Sequence, residues 1–63
     1  MRNPNRIYFM MGEMAGLWMK HFPDWRFAQL YSNFIAWMGT DPFYIEDDEL
    51  MKRFEKFCKE VGK

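Results

Sequence analysis

Three groups of residues in this 63-residue chain are of types that could do chemistry. The first is an acidic run. Asp41, Glu46, Asp47, Asp48 and Glu49 place five carboxylates within nine residues. Convergent carboxylate oxygens bind hard divalent cations, and an acidic face can also imitate the phosphate backbone of a nucleic acid. Four adjacent residues at a helix start point in different directions, however, and the run has neither EF-hand spacing nor a glycine for its sharp turn. Helix capping accounts for it, because the helix dipole favours negative charge in the first turn. An acidic partner-binding patch is the alternative, and no metal is expected.

The second group is Arg26 with Gln29. Arg26 is expected to form a structural ion pair with the acidic run, worth about 0–1 kcal/mol if exposed. A contact to phosphate or to a partner carboxylate is the other option. Gln29 is expected to hydrogen-bond the connector backbone. The third group is the single histidine, His21, and the single cysteine, Cys58. A general base needs a nucleophile or polarised group in reach, and nothing marks one, so His21 reads as a helix-end residue. Cys58 falls on the inner face of a helix and reads as an inert buried thiol. No cofactor, small-molecule substrate or enzymatic activity is expected.

The elements that must position these residues belong to one small all-α domain spanning 1–63. A chain of this length buries only about 60% of its unfolded surface, so its stability margin is thin. With one cysteine and no Cys/His cluster, neither a disulfide nor zinc can reinforce it. Nine basic residues balance nine acidic ones, which argues against a general nucleic-acid binder. Twenty-seven residues are Leu, Ile, Val, Met, Phe, Trp or Tyr. Three helices this short cover about a dozen to fifteen such side chains. The surplus, if contiguous, marks an interface. No apolar run ahead of a small-residue cleavage site suggests a signal peptide, and none is long enough to span a membrane. The chain reads as cytoplasmic.

Pro23 to Gly39 reads as the stretch around which the other two helices are arranged. Ahead of it, Met1 to Asn3 forms a frayed tail. Asn3-Pro4 then opens helix one, about 4 to 21. Ile7, Met10, Met11, Met14, Leu17, Trp18 and His21 make its apolar face. Its back carries Tyr8, Phe9, Gly12, Ala15, Gly16 and Met19 where charge would be usual. Two interior glycines cost about 1 kcal/mol each relative to Ala. They either clear space for helix two or form a docking groove for a second copy or a foreign protein.

Pro23 ends helix one, and Asp24 is expected to cap helix two. Phe27, Leu30, Tyr31, Phe34 and Met38 form the main face of helix two, widened by Ile35 and Trp37, with Gly39 as its stop. Residues 40–46 are a short extended connector packed across the bundle, with Asp41-Pro42 as turn chemistry. Asp47 caps helix three. Leu50, Phe54, Phe57, Cys58 and Val61 face inward there, Lys56, Lys59 and Lys63 crowd the end, and Gly62 stops it.

PDWRFAQL (23–30) and DPFYIEDDEL (41–50) together resemble a widespread group of short bacterial and phage proteins of uncharacterised function. That group shows a helix ending near a Trp, then Pro-Asp-x-Arg-x-x-Gln-Leu and Asp-x-Phe-Tyr-x-Glu-Asp-Asp-x-Leu. Arg6-Ile7 and Trp18 match its opening helix, so the resemblance covers about residues 2 to 57. It implies a compact helical unit and a mobile-element origin, and it carries no activity. The group tends to be charged at the back of helix one, where this chain has Tyr8, Phe9, Gly12 and Met19.

The expectation is therefore a compact three-helix bundle acting as a non-enzymatic protein-interaction module, with Tyr8, Phe9, Gly12, Ala15, Gly16 and Met19 as its contact residues. Under the mobile-element resemblance the partner is a host protein, such as a defence-system component. A homodimer using the same stripe is one alternative. An acidic nucleic-acid mimic, or direct nucleic-acid binding through the helix-three cations, is another.

Overall fold

The computed structural model describes residues 2–62 and has three α-helices with no strand among them. The helices are α1 (Asn5–His21), α2 (Phe27–Met38) and α3 (Asp47–Val61), with a single 3-10 turn at Pro42–Tyr44. Met1 and Lys63, the ends of the expected tail and basic cluster, lie outside the described residues.

The organising element is α3, not the 23–39 stretch. Each of the other two helices packs mainly on α3. Its sequence explains why: Met51, Phe54, Phe57 and Cys58 recur at helical spacing and are all buried. Leu30 and Phe34 of α2 and Phe22 of the intervening loop complete the buried core among the described residues. Phe57 is its hub, with ring centroids 5.3 Å from Phe22, 5.4 Å from Phe34 and 5.6 Å from Trp37. Burying side chains of this size stabilises the fold by about 1.5–3 kcal/mol each. The inner faces are narrower than the spacing suggested. Phe27, Tyr31 and Val61, expected inside, are about half exposed, while Met51 and Phe22, which were not assigned to the core, are buried.

α1 contributes no fully buried residue. Met10, Met14, Leu17 and Trp18 lie partly buried against the core, and Ile7 and Met11 drop out of the expected face. Arg6 Nε lies 3.0 Å from Asp47 Oδ2 at the start of both helices. At their other ends Gly62 abuts His21. The two helices therefore run side by side in the same direction.

The turns correct several expectations. Arg2 and Asn3 are not frayed: Arg2 pairs with Glu46 at 2.6 Å, and Asn3 Oδ1 accepts the Asn5 N–H at 2.9 Å. Asp24 does not cap α2. The chain turns at Pro23-Asp24, with the Trp25 N–H donating to the Phe22 carbonyl. Trp18 Nε1 donates to the Trp25 carbonyl at 3.1 Å, which holds the segment against α1 until the helix opens after Arg26. Arginine has no acceptor with which to cap. Instead the Gln29 Oε1 reaches back to the Arg26 N–H at 2.8 Å, so Gln29 serves its own helix start and not the connector. Gly39 ends α2 at φ 70°, the left-handed conformation anticipated for a helix stop.

Residues 40–46 are not one extended piece: Asp41, Ile45 and Glu46 have extended backbone, but Pro42–Tyr44 between them form a 3-10 turn. Asp41 Oδ1 accepts the Phe43 N–H at 3.0 Å and Pro42 fixes the first position of a tight 3-10 turn. Phe43 and Tyr44 project outward as a result, 76% and 89% exposed. Asp47 is not the cap of α3 either. Glu46 holds that position, and Asp47, Asp48 and Glu49 make up the acidic first turn.

Candidate functional site

The acidic run is consumed locally. Glu46 faces Arg2, Asp47 faces Arg6, and Glu49 pairs with Arg53 at 3.1 Å. Asp48 Oδ1 accepts the Glu49 N–H, and Asp41 caps the 3-10 turn. Among the described residues no cluster of three or more His, Cys, Asp or Glu is placed to hold a metal ion. Arg26 makes no ion pair with this run; the cations that do are Arg2, Arg6 and Arg53. Parallel packing of α1 and α3 explains the exchange. It brings two helix N-termini together, and Arg2 and Arg6, unfavourable at a helix start alone, lie beside the carboxylates of the neighbouring start.

Cys58 has no exposed surface, and burial, with the nearby Glu55 carboxylate adding to it, pushes the thiol up to about 11. A thiol held neutral is a poor nucleophile. His21 closes α1 in its last turn.

The outer side of α1 is different. The Asn3 side chain and Pro4 start the helix and Pro23 stops it, leaving one side, half a turn from Met10, Met14 and Leu17, largely open to solvent. Tyr8 is 82% exposed there, and Phe9 and Met19 are 75% exposed. The Tyr8 and Phe9 rings meet edge-on at 6.3 Å. Ala15 is exposed on the same side. A methyl group built on Gly12 or Gly16 would meet no atom within 4 Å. The glycines therefore do not clear space for α2, which is the first of the two accounts their spacing allowed. The structure brings all six stripe residues onto one uninterrupted surface. Toward the edge nearer α2, Ile7, Tyr8, Met11 and Gly12 line an open depression of about 690 Å³.

An apolar helix in water buries one side and carries charge on the other; one that is apolar all round is covered all round. The Asp, Glu, Lys and Arg side chains within α1 are Arg6, Glu13 and Lys20 alone. The molecule's total surface points the same way. A folded monomer of 7.8 kDa exposes roughly 4,400 Å² by the usual size scaling, and this one exposes 5014 Å². The radius of gyration is 11.7 Å, against about 10.6 Å for a compact chain of this length.

Two further features escaped sequence reasoning. Phe27 and Tyr31 form an exposed aromatic band that continues onto Trp18, with centroids 6.2 and 6.0 Å apart. A groove of about 580 Å³ runs between α1 and α3, floored by Met10 and Met51 and walled by Phe9 and Glu55. Helical spacing assigned Phe27 and Tyr31 to an inner face because it cannot tell which of two adjacent apolar stripes the third helix will cover. The groove depends on the parallel pairing of α1 and α3, which no local signal encodes. Among the described residues no helix is long and apolar enough to cross a membrane. No protein-family model, curated protein or solved structure matches the chain.

Proposed function

We propose that this protein is a small non-enzymatic interaction module that covers a surface of another protein with the outer side of α1. The observation that carries the reading is the exposure of Tyr8, Phe9 and Met19 on one helix side. Aromatic anchors supply most of the energy at such contacts, and methionine lets the surface adapt to what it meets. The resemblance to bacterial and phage proteins supports a host protein, such as a defence-system component, as the target. The acidic reading has less behind it, because Glu46, Asp47 and Glu49 each already face an arginine.

The experiment is site-specific photocrosslinking in cells of the source organism. A photoreactive phenylalanine analogue replaces Phe9, with an equivalent probe at the exposed Lys56 on the far side of α3 as the control. Covalent adducts from position 9 and none from position 56 are the expected result. Equal labelling, or none at position 9, overturns the reading. A contact made by these side chains also survives added salt, whereas one made by the carboxylates weakens steeply.

A further inference from the structure

We infer that the groove between α1 and α3 receives a basic amphipathic helix of another protein, apolar at its middle and cationic at both ends. The groove lies on the α3 side of α1, with Phe9 on the ridge that parts it from the outer side. The inference stands whatever meets that outer side.

Charge selects the sign of the occupant. Arg6 stands opposite Asp47 and His21 opposite Gly62, so the register brings Met10 level with Met51, and Glu13 level with the turn that holds Glu55. Four carboxylates therefore line the groove, Asp47 and Asp48 at one end and Glu13 and Glu55 at the other, against two cations, Arg6 and Lys52. Arg6 is already turned to Asp47, and Glu13 makes no ion pair among the described residues. A chain of zero net charge thus concentrates acid along this one groove, and its complement carries a cation toward each end.

The floor between those ends is apolar. Met51 is buried and Met10 partly so, and the exposed Phe9 ring rises beside them. The space of about 580 Å³ falls within the roughly 300–1,000 Å³ of ordinary binding clefts, and methionine adjusts its shape to what it covers. Length then selects the form of the occupant. Arg6 to Glu13 is two helical turns, about 10 Å at 1.5 Å per residue. A helix lying in the groove presents positions i, i+3, i+4 and i+7 on one side. That sets an apolar pair over the two methionines and a Lys or Arg at each acidic end. An extended segment of the same length would turn every second side chain away. Helix-in-groove docking is the mode that remains.

The test is a titration of the purified chain, followed through its methionine methyl resonances. The probe is a synthetic helical peptide with Lys at i and i+7, Leu at i+3 and i+4, and Ala and Gln elsewhere. The Met10 and Met51 methyl groups are expected to shift most, and a peptide with Glu in place of Lys, or with the same residues scrambled off one side, is expected to leave them unmoved. Glu13→Gln combined with Glu55→Gln, both at exposed positions, should weaken binding by about 2- to 30-fold, as two exposed ion pairs would. Asp24→Asn combined with Glu60→Gln removes as many carboxylates away from the groove and should leave binding unchanged. No shift at Met10 and Met51 with millimolar peptide overturns the inference. So do shifts confined to Met19, equal binding of the Glu peptide, or equal losses in the two double variants. The same shifts from hexylamine at the same concentration would make the occupant a small amphiphilic cation and overturn the assignment to a helix.

Discussion

Gly62 lies so close to His21 that a methyl group on it would sit 2.7 Å from His21 Cβ and 2.5 Å from the Cys58 carbonyl oxygen. It follows the last turn of α3, the position of a helix stop. Its φ of −77° is open to any residue, however. What it provides is room for the end of α3 to lie against the end of α1. The Arg6–Asp47 pair fixes the same two helices at their starts, and between these points α1 rests on the core through side chains that are only partly buried.

Gly62→Ala should therefore destabilise the fold by crowding the Cys58 carbonyl at the end of α3 and the His21 side chain at the end of α1, not because its φ is closed to other residues. Overpacking of this kind costs about 1–3 kcal/mol. In a domain of 60–100 residues each kcal/mol lowers the melting temperature by about 4–8 °C. Thermal unfolding followed by circular dichroism checks this. A variant that melts with the wild type would show that the contact yields without cost.

The other glycines divide by the same reasoning. Gly12 and Gly16 have helical backbone and empty space at the Cβ position, so each change to Ala should stabilise an isolated protomer by about 1 kcal/mol. Gly39→Ala should do the reverse, by about 1–2 kcal/mol, because φ is 70° there and a side chain strains that conformation. Denaturant midpoints measured at high dilution separate the two signs. A loss of stability at Gly12 under those conditions would mean that the glycine has a neighbour within the protomer.

Much of this architecture was legible in the sequence, for identifiable reasons. Pro23 and Gly39 are local signals that act through φ and missing donors, and each follows the end of a helix in the structure, while the Asp41-Pro42 pair opens the 3-10 turn. The Phe54, Phe57, Cys58 spacing gave the inner side of α3 because the opposite side is charged. Partner choice between elements was not legible. Arg26 and Arg6 are both single arginines near a helix start, and only the parallel packing of α1 and α3 decides that Arg6 meets the acidic turn. Phe43-Tyr44-Ile45 has strand-like composition, yet the Asp41 side chain and Pro42 together close a 3-10 turn there. The exposed side of α1 was legible because glycine, alanine and aromatic residues stood where charge belongs.

Phe57 is where a single truncation should cost most. Its ring meets one from the loop, two from α2 and Phe54 of its own helix. Phe57→Ala is expected to cost about 3–5 kcal/mol, comparable to the whole stability of a chain this size at about 0.05–0.15 kcal/mol per residue. Loss of the cooperative melting transition is the expected outcome. Val61→Ala on the same helix, at a half-exposed position, should stay within about 0.5 kcal/mol. Similar losses from both would mean the core is not centred on Phe57.

The Cys58 thiol gives the fold a dependence on alkaline pH whose sign is fixed. Burial first, and the Glu55 carboxylate second, raise it from an ordinary value of 9.0 to about 11. In that interval the unfolded chain has released the proton and the folded chain still holds it. Raising the pH therefore draws the equilibrium toward the unfolded state. The contribution is fully present below pH 9.0 and is lost as the pH climbs toward about 11. The difference in unfolding free energy between the wild type and Cys58→Ala, measured from pH 7 to 11, isolates this group from the other titrating side chains. It should be flat to about pH 9 and then move in favour of the alanine variant. Alkylation supplies an independent reading. The native thiol should react with iodoacetamide only as fast as the core opens, so mild denaturant should accelerate labelling far more than a pH change from 7 to 8.5. Prompt labelling of native protein at neutral pH would show that the thiol is neither enclosed nor held protonated.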